Sequence, residues 1–282
     1  MPKVKVNDIQ VYYEVSGEGF PLVMINGLGE SLDCWDPLFV DSLSKKFRVV
    51  LLDNREAGRT HASPREYTIK MLADDAAGLM NALKISKAHV LGFSMGGMIA
   101  QELVLHYPEK VSKLILYSTS SNGHLGPELS KIASAMERGA STEEIAKMYL
   151  SLPLAGDYPK DLLEKKPSVI NGYTADFVKE NPDSVKRYYQ RCRKHPISKQ
   201  GWRRQYNAQK RFNTQGRLQQ IKVPTLVIHG KKDFPLPPER GSDLAKAIPN
   251  AKLIFFKKSA HMLAEEMSEV ILVVTEFLLK PR

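Results

Sequence analysis

The sequence predicts an α/β fold: a mostly parallel eight-stranded sheet with helices on both faces, interrupted by an inserted helical segment. Three observations carry this. Short continuous apolar runs, as expected of strands buried on both faces, alternate with stretches of helical spacing. The alternation stops after residue 121 and resumes at 217, and the intervening stretch holds 17 Lys/Arg against 10 Asp/Glu. A serine flanked by glycines, Gly92-Phe93-Ser94-Met95-Gly96, lies between one such run and a helical stretch.

A chain of 282 residues is one large domain, or one domain with an insertion, and can bury a sizeable core. The hydrophobic fraction of 43% and charged fraction of 26% are those of a soluble globular protein. No apolar h-region follows the N-terminal Met1-Pro2-Lys3, so no signal peptide is expected. No apolar run approaches the roughly 18 residues of a membrane span. Cys34 and Cys192 fit neither a CxxC nor a zinc spacing and read as two reduced thiols of a cytoplasmic protein.

The elements follow in order. Lys3–Val6 and Gln10–Val15 alternate around Asn7-Asp8, a hairpin signal. Pro21–Ile25 and Phe47–Leu52 are buried strands, with a helix from Trp35 to Leu43 between them. Thr68 is a plausible N-cap for a helix reaching Leu83. Ala88–Phe93 is the strand before Ser94, and the helix after it ends at Tyr107-Pro108. Val111–Tyr117 is the next strand. Residues 122–216 read as short helices broken by Pro and Gly. Pro224–Gly230, a helix from Glu239 to Ile248, the strand Ala251–Phe256 and a terminal helix from Met262 complete the chain. The domain reading is therefore a core of 1–121 plus 217–282 and a helical cap over 122–216. Sheets of this kind bind ligands outside the C-terminal ends of their strands. The segments beginning at Asn26, Asp53 and Gly92 all start there and should converge on one crevice.

Gly-x-Ser-x-Gly between a strand and a helix is the pattern of a nucleophile elbow: a sharp turn lifts the serine oxygen clear of the sheet, and small neighbours let other backbone pass close. A serine nucleophile needs a base and an acid to orient that base. Asp233 follows the strand at 224–230 and His261 follows the strand at 251–256, so both should reach the edge that holds Ser94. The order Ser94, Asp233, His261 with each residue after an apolar strand resembles the α/β-hydrolase family over nearly the full chain. Pro224-Thr225-Leu226 through Gly230 to Asp233, and Ala260-His261 before the last helix, match that family's motifs. His229 lies inside its strand and reads as core or as a neighbour of the site. His61 and His124 lie in loops and fit no triad position.

The resemblance implies an oxyanion hole made by the backbone N–H groups of Leu28 and Met95. Asn26-Gly27 stands where most members carry His-Gly, and Asn26, Gly27 and Trp35 are expected around the substrate. The motifs Asn26-Gly27-Leu28-Gly29 and Asp53-Asn54-Arg55 resemble small-molecule esterases and enol-lactonases. The implied reaction is hydrolysis of a small ester or lactone through an acyl-enzyme, with no metal or organic cofactor. Cofactor-free perhydrolases and carbon–carbon bond hydrolases share the same residues, as would a ligand sensor that does not turn over. Between Lys186 and Arg211 there are ten Lys/Arg and no Asp/Glu, interleaved with Tyr188, Tyr189, Trp202 and Tyr206. No nucleic-acid motif accompanies this run. It reads as solvated helix faces, with the further expectation that Arg191, Arg203 or Arg204 binds an anionic substrate. Partners are thus a small molecule, neither nucleic acid nor membrane, and the oligomeric state stays open between monomer and homo-oligomer.

Overall fold

Eight strands form a single sheet in the order β1-β2-β4-β3-β5-β6-β7-β8 in a computed structural model that describes residues 2–62 and 65–281. The strands are β1 (Lys3–Val6), β2 (Ile9–Ser16), β3 (Pro21–Ile25), β4 (Arg48–Leu52), β5 (Ala88–Phe93), β6 (Val111–Tyr117), β7 (Thr225–Gly230) and β8 (Ala251–Phe256). The pairs β1–β2 and β2–β4 are antiparallel and the rest are parallel. The hairpin at one edge and the parallel remainder agree with the sequence reading.

Strand pleating sorts the apolar residues between two layers. In β3, Val23 and Ile25 join a layer with Leu72, Leu79 and Ile99 of the helices α2 (Ile69–Ala82) and α3 (Met95–His106). Leu22 and Met24 face the other way, into a layer with Phe39, Leu43, Val270 and Val274 of α1 (Pro37–Ser44) and α11 (Met267–Leu279). Both faces are thus covered, which is why β3 is continuously apolar and β5 and β6 are buried at every position. Each fully buried side chain of this kind contributes about 1.5–3 kcal/mol.

Between β6 and β7 the chain forms only helices: α4 (Pro127–Glu137), α5 (Thr142–Leu150), α6 (Lys160–Lys165), α7 (Ala175–Glu180), α8 (Pro182–Cys192) and α9 (Lys199–Lys210), with short 3-10 turns. Their own apolar cluster includes Leu129, Ile132, Leu163, Val169 and Val185. The remaining helix is α10 (Glu239–Ala247).

Three expectations change. The helix expected from Trp35 begins at Pro37 instead. Asp36 caps it by accepting the Leu38 N–H at 2.8 Å, Pro37 occupies the first helical position, and Leu32–Cys34 forms a separate 3-10 turn. The terminal helix expected from Met262 begins at Met267, because Leu263 turns the chain through a left-handed conformation with φ 49°. Cys34 and Cys192 are joined in a disulfide with Cα atoms 4.8 Å apart, so they are not two reduced thiols, and the support they lent to a cytoplasmic location falls away. The separation of 158 residues hid the pair; folding lays the end of α8 against the Leu32–Cys34 turn. No helix among the described residues is long and apolar enough to cross a membrane.

Candidate active site

Ser94 stands at the turn between β5 and α3 with φ 53° and ψ −120°. A non-glycine residue held there costs about 1–3 kcal/mol, so the surroundings must enforce it. They do so through backbone contacts: the Ser94 N–H donates to the Tyr117 carbonyl at 2.9 Å, and the Ser94 carbonyl accepts the Thr119 hydroxyl at 2.7 Å. The flanking glycines are required by close approach. A Cβ on Gly92 would lie 2.2 Å from the Gly96 carbonyl oxygen, and one on Gly96 would lie 2.1 Å from that of Ile25. Met95 opens α3, so its N–H is a first-turn donor with no partner inside the helix.

His261 and Asp233 meet as the topology predicts, because β7 and β8 are adjacent and each residue follows one of them. His261 Nδ1 lies 2.7 Å from Asp233 Oδ2. The Leu236 N–H donates to Asp233 Oδ1 at 2.9 Å. His229, buried at the end of β7, places Nε2 at 2.8 Å from the Leu236 carbonyl and 3.1 Å from Asp233 Oδ2. A carbonyl accepts only, so the His229 proton is assigned to Nε2. Burial opposes ionisation of Asp233, but the charge and hydrogen bonds of the two histidines outweigh it and hold the carboxyl below its ordinary value.

The segment after β3 is braced from several sides. Asn26 is buried; its Oδ1 accepts the Gly27 N–H at 3.0 Å and its Nδ2 donates to the Ser31 carbonyl at 2.9 Å. Asp53 at the end of β4 accepts the Leu32 N–H at 2.7 Å. The Gly29 N–H donates to Gln205 Oε1 of α9 at 2.7 Å, and the Tyr188 hydroxyl of α8 donates to Glu30 Oε1 at 2.6 Å.

A chamber of about 380 Å³ opens between this segment, the elbow and the helices of 122–216. Gly27, Leu28, Ser94 and His261 line it, with Phe93, Tyr149, Tyr173, Tyr188, Tyr189 and Trp202. Ser94, His261, Gly27 and Leu28 therefore face one space as the sequence predicts. Asn26 and Trp35 do not line it. Asn26 is spent on bracing Gly27 and Ser31. Trp35 packs on Phe39 and Phe93 and borders a separate cleft of about 20 Å³. Of the basic run, Arg204 pairs with Glu56, Lys210 with Glu137 and Arg211 with Glu66, Arg203 is exposed, and Arg191, whose Nε is buried, does not line the chamber. No Lys or Arg is among the described residues that line the chamber. His61 bridges to Gln10 and His124 is exposed; neither borders the chamber.

Sequence reasoning missed Glu30. It faces the chamber from the segment after β3, and its Oε2 accepts the Gly27 N–H at 3.3 Å. Burial pushes its carboxyl upward, against the Tyr188 hydrogen bond, the charge of His261 and the Gly27 N–H. An acid within a glycine-rich loop after a strand was the available signal.

Residues 21–267 match a family model described as the alpha/beta hydrolase fold. Among solved structures, the enol-lactonase from Burkholderia xenovorans LB400 is similar with a TM-score of 0.82 and 27% identity, covering 99% of this chain and 100% of that one. A protein provisionally named non-heme bromoperoxidase BpoC, from Mycobacterium tuberculosis, is 30% identical over 93% of this chain and 95% of its own. The 2-hydroxy-6-oxo-6-phenylhexa-2,4-dienoate hydrolase of Comamonas testosteroni is 26% identical over 91% and 86% respectively.

Proposed function

The chain belongs to the α/β-hydrolase family, and from that premise we propose that it is a serine hydrolase cleaving a small carboxylic ester or lactone through an acyl-enzyme. The observation that carries this reading is that a strained Ser94 faces the same chamber as His261, whose Nδ1 is held at 2.7 Å by a buried Asp233. With Nδ1–H donating to the carboxylate, Nε2 is left as the basic nitrogen of the ring.

In the mechanism, His261 Nε2 takes the Ser94 hydroxyl proton as the oxygen attacks the substrate carbonyl. The tetrahedral oxyanion sits against the Met95 N–H and the Leu28 N–H. Removing one such donor typically costs roughly 100- to 1000-fold in turnover. His261 then passes its proton to the leaving alcohol. Water, deprotonated by the same nitrogen, releases the acid and restores Ser94. Asp233 holds the tautomer and stabilises the imidazolium, and His229 and the Leu236 N–H hold Asp233. The helices of 122–216 act as the cap that closes the chamber and selects the acyl group. The similarity to the enol-lactonase supports a lactone among the substrates. The absence of Lys and Arg among the described lining residues removes the reason for expecting an anionic one.

A second reading, carbon–carbon bond hydrolysis, is favoured by the 26% identity to the dienoate hydrolase of Comamonas testosteroni. Steady-state assays with p-nitrophenyl butyrate, a lactone and a vinylogous 1,5-diketone acid separate the two. Ester or lactone turnover that vanishes in Ser94→Ala is expected. Preferential cleavage of the diketone acid moves the reading to carbon–carbon hydrolysis. A single burst without turnover on every substrate contradicts both and leaves a ligand sensor.

A further inference from the structure

Glu30 gives the chamber a property that the hydrolytic residues do not need. It is the one Asp or Glu among the described residues that line it, and no Lys or Arg lines it. Its polar partners are the Tyr188 hydroxyl on Oε1 and the Gly27 N–H on Oε2, both uncharged. A carboxylate taken out of water with no cationic hydrogen-bond partner is costly, and the charge of His261 offsets that cost only in part. Burial does push this carboxyl upward, as expected of such a site. Around it are aromatic faces: Tyr188 and Tyr173 meet edge to face with centroids 5.8 Å apart, Tyr188 and Tyr189 at 5.4 Å, and Trp202 stacks on Tyr206 at 5.2 Å while lining the chamber. A carboxylate within a group of Tyr and Trp rings is the surrounding that attracts an ammonium group, through Coulomb attraction and the ring quadrupoles.

The position sharpens the point. The site a Cβ on Gly27 would occupy lies 3.1 Å from Glu30 Oε2 and 3.3 Å from Ser94 Cβ. A bare carboxylate there would repel the oxyanion forming next to Leu28. A cation on the substrate cancels that repulsion and satisfies Glu30 in one contact.

We propose that Glu30, with Tyr173, Tyr188, Tyr189 and Trp202, forms a subsite for a positively charged amine or quaternary ammonium group on the substrate. This deepens the hydrolase reading and rests on it for the chemistry at Ser94. Glu30 is a specificity residue, and its contact with Tyr188 also ties α8 to the loop after β3. Replacement by Gln keeps an acceptor for Tyr188 while removing the charge.

The test is calorimetric titration of the full-length protein with choline and with its uncharged isostere 3,3-dimethylbutanol. Wild type is expected to bind choline about tenfold or more tightly than the isostere, the size of a desolvated cation–aromatic contact. Glu30→Gln is expected to abolish that preference with the isostere affinity unchanged, and Tyr188→Phe, which retains the charge, to keep it. Equal affinities in wild type overturn the proposal without any variant being needed. A preference that survives Glu30→Gln overturns it as well. Ser94-dependent turnover of p-nitrophenyl butyrate is read separately. Absence of the choline preference in wild type with turnover intact sinks the subsite alone, whereas a wild-type choline preference without turnover on any substrate sinks the hydrolase reading alone.

Discussion

Asp233 accepts from three directions: His261 Nδ1 at 2.7 Å, the Leu236 N–H at 2.9 Å and His229 Nε2 at 3.1 Å. Its burial would raise the carboxyl, and the two histidines reverse the sign, leaving it below the ordinary 3.8. A carboxyl with a depressed folded value adds stability that is fully present above the unfolded value and is lost as pH falls through the folded one. Asp233→Asn is therefore expected to lower stability by about 1–3 kcal/mol. Denaturant titrations should find that gap constant above pH 3.8 and closing below it. A gap that widens on acidification contradicts the assignment. The same variant should lower kcat about 10⁴-fold, because His261 loses the partner that fixes its tautomer. The placement of Ser94, Asp233 and His261 is legible in sequence because each follows a strand whose position in the sheet sets where its end lies. The second histidine on Asp233 is half legible: residue 229 reads as a neighbour of the site, but its hydrogen bonds depend on the turn that brings Leu236 back over β7. Glu30 is visible in sequence only as an acid within a glycine-rich loop, because its significance comes from Tyr188, which is 158 residues away.

At the scale of elements, α8 and α9 hold the loop between β3 and α1, and α9 also holds the segment after β4 through Glu56. Tyr188 reaches Glu30, Gln205 reaches Gly29, Arg204 reaches Glu56 and Cys192 is bonded to Cys34. The disulfide is the covalent member of this set and closes a loop of 158 residues. Such a bond constrains the unfolded chain and typically contributes about 2–4 kcal/mol. Reduction with a thiol, or the paired change of Cys34 and Cys192 to Ser, is expected to lower the free energy of unfolding by that amount. Equilibrium denaturation with and without reductant checks it, and coincident curves in which mass spectrometry verifies reduction would contradict it. Most elements themselves are legible: alternation locates β1 and β2, apolar runs locate the other six strands, and Thr68 caps α2 by accepting the Met71 N–H at 3.2 Å. The starts of α1 and α11 are not, because Asp36-Pro37 and the left-handed Leu263 override the apolar spacing that runs through them.

At the scale of the molecule, the sheet positions one wall of the chamber and the helices of 122–216 form the other. The parallel strands β3, β5, β7 and β8 deliver the loop after β3, the elbow, the acid and the base to one edge. Away from the chamber, Arg204, Lys210 and Arg211 meet acidic partners, while the described residues that line the chamber are largely apolar and aromatic and include one carboxylate. Charge along the chain misleads here because a short helix carries Lys and Arg on its solvent face whatever its inner face touches. Relatives that share this frame bear different names, from an enol-lactonase to a dienoate hydrolase, so the frame alone does not determine the substrate. The proposed mechanism requires a covalent intermediate on one atom, the Ser94 hydroxyl oxygen. Rapid-quench mass spectrometry during turnover of p-nitrophenyl butyrate tests this directly: a butyryl adduct should appear on the peptide that contains Ser94, at a rate no slower than turnover. Turnover with no adduct on Ser94, or with the adduct on another residue, would contradict the account.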